Sequence, residues 1–86
     1  MKYYVNKKII LSVQNEELVL LNMKDGIFYG IDEIGYYIWS FMEKKVEINL
    51  ISKFVSEKYS VSEEQAYKDV MEFVNQLSVY KLVKLK

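Results

Sequence analysis

Cysteine, histidine, arginine and proline are all absent from this 86-residue chain, and glycine occurs only three times. Without cysteine there is no disulfide framework and no thiol nucleophile; without histidine there is no imidazole base and no thiolate–imidazole metal site. No D-x-D-x-D-G run offers a calcium loop. Gly26, Gly30 and Gly35 do not form a phosphate-cradling loop, and Ser12, Ser40, Ser52, Ser56, Ser60, Ser62 and Ser78 have no histidine to activate them. Adjacent carboxylates occur at Glu16-Glu17, Asp32-Glu33 and Glu63-Glu64. Two of these pairs stand at expected helix starts, where acids suit the helix dipole. The chain is therefore expected to have no catalytic activity, no metal and no cofactor.

The absence of arginine matters for partners as well. All twelve basic residues are lysine, and they balance twelve acids to a net charge of zero. Base readout and phosphate recognition lean on the planar guanidinium fork, so a neutral, arginine-free chain is a poor nucleic-acid binder. Six of the lysines lie in residues 1–10 and 81–86, which hold no acid; they read as solvated termini. The apolar run Ile9-Ile10-Leu11 is too short for a signal peptide, and no run approaches the roughly 18 apolar residues of a membrane span. A cytoplasmic protein with no membrane partner is expected.

What is present is a hydrophobic fraction of 51%, with eight tyrosines, four phenylalanines and one tryptophan. That is enough for one small folded domain, residues 1–86, with an aromatic core. β-branched residues from Lys8 to Val13 predict a strand, and a second is predicted over residues 18–21. The segment Asn22-Met23-Lys24-Asp25-Gly26 reads as a hairpin connection, its Asp-Gly step supplying a positive φ. A third strand follows over residues 27–31. Short connections make these three an antiparallel meander whose outer strands are its edges.

From Asp32 the period changes. Asp32 is a candidate N-cap for a helix carrying Ile34, Ile38, Phe41 and Met42. A second helix is predicted over residues 47–59, with Ile48, Ile51, Val55 and Tyr59 on one side. Ser62 and Gln65 have the spacing of a capping box, and Val61 can staple onto Ala66 at the start of a third helix reaching Ser78. Residues 82–85 read as a short apolar tail. The fold class is α+β, with a three-stranded antiparallel sheet followed by three helices.

The third strand is the place to look for binding. Proteins usually blunt an unpaired strand edge with charge, proline or a cover. Lys7 and Lys8 do so for the first strand, whereas Ile27, Phe28, Tyr29, Gly30 and Ile31 carry no charge at all. Such an edge is either covered within the fold or open to an extended peptide that adds a strand. The apolar positions of the third helix spread wider than one stripe. Val70, Phe73, Val74 and Leu77 are therefore candidates for a groove wall, with Asp69 at its rim for a basic side chain.

Residues 26–39 read G-I-F-Y-G-I-D-E-I-G-Y-Y-I-W, and residues 61–77 read V-S-E-E-Q-A-Y-K-D-V-M-E-F-V-N-Q-L. In these segments the chain resembles the PqqD-like family, the RiPP recognition elements, and the likeness extends over residues 18–85. Asp32 stands where the family usually has Asn, Tyr36 where a small residue is usual, and Lys81 where Gly often precedes the last apolar pair. The resemblance implies a winged helix-turn-helix-like fold that binds not DNA but the leader of a ribosomally made precursor peptide. The leader would lie antiparallel along the third strand, in a cleft closed by the third helix. It also implies partners that process the precursor: a leader peptidase and a cyclase in lasso-peptide biosynthesis, an antibiotic-producing pathway. The alternatives are a peptide chaperone for a radical-SAM enzyme and a winged-helix DNA-binding protein.

Overall fold

A computed structural model describes residues 2–86. Its elements are β1 (Tyr3–Val5), β2 (Ile9–Gln14), β3 (Glu17–Asn22), β4 (Phe28–Gly30), α1 (Glu33–Glu43), α2 (Ile48–Tyr59), α3 (Glu63–Val79) and β5 (Val83–Leu85). The expected meander is β2-β3-β4, with β3 in the centre. Its first turn places Asn15 and Glu16 at φ of 51° and 67°, the left-handed pair that matches the twist of a two-residue hairpin. In its second turn Gly26 takes φ 76°, and its N–H donates to the Asn22 carbonyl at 2.8 Å. The Asp25 carboxylate accepts from the Ile27 N–H at 2.9 Å and leads the chain back into β4.

The helices begin where short polar side chains replace missing backbone partners. The Asp32 carboxylate accepts from the Gly35 N–H at 2.8 Å, so Asp keeps the capping role that Asn would fill. The Ser62 hydroxyl accepts from the Gln65 N–H at 3.0 Å. The capping box expected there is only half made, because the Gln65 side chain turns forward and donates to Asp69 at 2.9 Å. α2 has no side-chain cap and ends at Ser60 in the left-handed conformation.

One sheet is absent from the sequence reading. β1 and β5 pair antiparallel, Tyr3 with Leu85 and Val5 with Val83. The apolar tail is thus a strand that closes the chain ends on each other. Tyr3 further donates its hydroxyl hydrogen to the Val46 carbonyl, tying β1 to the α1–α2 connection. The core joins Ile9 and Leu20 of the meander to Ile38, Trp39 and Met42 of α1, Ile51 and Val55 of α2, and the buried stripe of α3, with Leu82 and Val83 closing it.

Between α3 and β5, Lys81 takes φ 62°. That left-handed region suits glycine, and a β-carbon there crowds the backbone carbonyl. Lys81→Gly should raise stability by about 0.5–1 kcal/mol, read as a higher urea midpoint at unchanged slope. An unchanged or lower midpoint would contradict this account of the turn.

Candidate functional site

Among the described residues β4 is paired on one side, by β3, and its other side is open. The Ile31 N–H donates to the Leu18 carbonyl at 3.0 Å, and the Ile27 carbonyl accepts from the Asn22 N–H at 2.9 Å. Residues 27, 29 and 31 therefore direct their backbone groups to β3, in register with Leu20 opposite Tyr29. By alternation Phe28 and Gly30 direct their N–H and C=O groups to the open edge. The side chains alternate as well: Tyr29 and Ile31 are half-buried against the core, while Phe28 points away and is 58% exposed.

α3 lies beside this edge. Residues spaced i, i+4, i+7 and i+11 share one side of a helix, and Asp69, Phe73, Gln76 and Tyr80 have that spacing. Contacts at two of these positions fix which way the stripe faces. A Cβ on Gly35 would lie 3.0 Å from the Phe73 ring, so the bare glycine lets Phe73 sit against the first turn of α1, directly after β4. Tyr80 stacks on Tyr29, with ring centroids 4.8 Å apart and planes 29° from parallel. Phe73 and Tyr80 thus bracket the space between α3 and the edge strand.

The sequence-derived wall splits at this point. Asp69 and Phe73 are half-buried on the stripe that borders the strand. Val70 and Val74 are fully buried and Leu77 is 3% exposed, all within the core cluster. These three side chains hold α3 in place from beneath and offer no open surface. Tyr80 borders the strand, Gln76 shares its side of the helix by spacing, and neither is among the sequence-derived candidates. Gln76 is polar, and Tyr80 caps the helix after its last apolar turn, so hydrophobic periodicity marks neither.

At the C-terminal end of β4 a depression of about 620 Å³ is lined by Gly30, Ile31, Tyr36 and Tyr37, with carboxylates at Glu16, Glu17, Asp32 and Glu33. Tyr59 donates to the Glu33 carboxylate, and this bond to a negative charge pushes the phenol up to about 12. Ser52 and Ser56 spend their hydroxyl hydrogens on the Ile48 and Val61 carbonyls. Among the described residues no group of three or more acidic side chains converges on a point that could hold a metal ion. None of the described helices is long and apolar enough to cross a membrane.

Comparison with known proteins places these features in a lineage. Residues 17–83 match the family described as Coenzyme PQQ synthesis protein D (PqqD). The chain is similar to TbiB1, solved in complex with the TbiA(beta) leader peptide. They share 26% identity and a TM-score of 0.83, over 100% of this chain and 98% of that one. It is also similar in fold to a lasso peptide synthetase B1 complexed with the leader peptide. There the identity is 15% and the TM-score 0.85, over 99% of this chain and 100% of that one. No curated protein matches the chain.

Proposed function

Because the chain belongs to the PqqD family, we propose that residues 1–86 act as one peptide-recognition domain. It captures the leader of a ribosomal precursor peptide as an added strand on β4 and presents it to processing enzymes. The observation that carries this reading is the uncharged, unpaired edge of β4, whose outward backbone groups at Phe28 and Gly30 lie beside the α3 stripe. Strand addition draws affinity from such groups and specificity from alternate side chains. In an antiparallel guest, residues bonded to Phe28 and Gly30 would turn their side chains to the outer face. Those opposite Tyr29 and Ile31 would turn theirs toward Phe73, Gln76 and Tyr80.

The similarity over the whole chain to TbiB1, solved with a leader peptide, and the shared fold with a lasso peptide synthetase B1, also solved with one, support a lasso-peptide pathway, with a leader peptidase and a cyclase as the next partners. The description of the matched family favours a second reading, a peptide chaperone in a radical-SAM pathway. In either case the domain binds without turnover and needs no cofactor, since it has neither histidine nor cysteine to carry a chemical step. It works in the cytoplasm, on peptide rather than nucleic acid or membrane.

Titration with the leader peptide of a precursor encoded beside this chain tests the reading; saturable binding supports it, and no binding to that leader or to the full precursor contradicts it. Asp69 is available at the rim for a basic leader side chain. Asp69→Ala should weaken binding by about 1 kcal/mol or less, and by less still in high salt. Loss of folding in this variant would instead assign Asp69 to supporting α3 through Gln65.

A further inference from the structure

The two lysine-rich ends of the chain, distant in sequence, meet on the β1–β5 ladder. Pairing continues past the strands, with the Lys86 N–H donating to the Lys2 carbonyl at 2.9 Å. Tyr4 lies opposite Lys84. Alternation therefore puts Lys2, Tyr4, Lys84 and Lys86 together on the outer face, and all four are exposed. The Lys86 ammonium lies 5.6 Å from the centre of the Tyr4 ring. The one ion pair among the described residues joins Lys68 to Glu64, so none of these ammoniums is neutralised. Like charges directly opposite each other weaken a strand pair, and Lys2 faces Lys86. A ladder built for stability alone would alternate the signs there.

Beside this face lies a depression of about 660 Å³, lined by the half-buried Tyr3 and Val5, by Lys7 and Lys45, and by Glu43 and Glu47. Lys7 and Lys8 precede β2, whereas Glu16 and Glu17 follow it, so six residues of strand, roughly 20 Å, separate the basic end from the acidic one.

We propose that the outer face of the β1–β5 ladder and this depression form a second docking site, for an acidic segment of a partner protein. Its carboxylates meet Lys2, Lys84 and Lys86 on the ladder, away from Glu43 and Glu47, and an apolar side chain enters the recess against Tyr3 and Val5. Charge complementarity selects the acidic partner. The apolar recess, the short span of the lysine cluster and the absence of arginine select polypeptide over nucleic acid. The ladder shares no strand with the β4 edge, so both sites can be filled at once.

The probe is a fluorescein-labelled synthetic peptide of alternating glutamate and leucine, followed by fluorescence polarisation. Binding should weaken as salt rises from about 50 to about 300 mM. Reversing Lys2, Lys84 and Lys86 together to Glu should lower affinity at least about tenfold. The same three reversals at Lys53, Lys58 and Lys68 should lower it much less, separating this site from net charge. Lys86→Glu alone should weaken the probe while holding or raising the melting temperature, because the introduced carboxylate would face Lys2. The proposal is overturned if the two triple variants lose affinity equally, or if the ladder triple binds as the unaltered protein does. It is equally overturned if duplex DNA or phosphatidylserine vesicles bind more tightly than the peptide in the same buffer.

Discussion

Proline at position 28 should leave the protein folded and remove most of its affinity for a leader peptide, whereas proline at position 29 should strongly destabilise the meander. The two substitutions are neighbours of similar chemistry, and only the direction of one N–H separates them. At Phe28 that N–H points to the open edge, and the side chain it replaces is 58% exposed. Proline is tolerated on an edge strand in that orientation. A guest strand, however, loses a bonding partner and meets the pyrrolidine ring, so affinity should fall at least about tenfold. At Tyr29 the N–H faces Leu20, and the ring is stacked on Tyr80. Losing the ladder bond, the stack and the half-buried side chain together amounts to about 3 kcal/mol. Circular dichroism with urea unfolding, then isothermal titration of the folded variant, reads both outcomes. Wild-type affinity in a folded Phe28→Pro variant would put the guest elsewhere.

The largest effect on stability should come from Trp39. It is fully buried within the core cluster that joins α1 to residues of the meander and of the other helices. Trp39→Ala should cost about 3–5 kcal/mol, a large part of the roughly 5–15 kcal/mol that small domains possess. Trp39→Phe should cost far less than that. Among the described residues the buried indole Nε1 has no hydrogen-bond partner, so phenylalanine gives up volume but also removes an unsatisfied donor. Equal damage from the two variants, measured by urea midpoint, would contradict this reading of the indole.

Much of this architecture is written in local signals, and it is legible in the sequence for that reason. Asp32 and Ser62 announce helix starts because a short acceptor side chain serves the next turn's N–H groups. Asp25 and Gly26 announce a turn because one left-handed residue is needed there. The uncharged third strand stands out because an edge usually carries a defence. What escapes is non-local or polar. β1 and β5 are three residues each, too short for an alternating pattern, and their pairing partners lie at opposite ends of the chain. Val70, Val74 and Leu77 group with Phe73 in the sequence because adjacent helix stripes look alike to apolar periodicity. Only the tertiary packing shows that one stripe is core and the other borders the strand. Tyr80 completes that border, and Gln76 shares its side of the helix, without any apolar signal inside the helix.

Amide hydrogen exchange at four consecutive residues tests strand addition most directly. In the free protein the Tyr29 and Ile31 amides should be protected by β3, and those of Phe28 and Gly30 should exchange fast. Saturating leader peptide should slow Phe28 and Gly30 by orders of magnitude while leaving the protection of Tyr29 and Ile31 in place. If the peptide binds and the Phe28 and Gly30 amides exchange as fast as before, the leader is not a strand on β4.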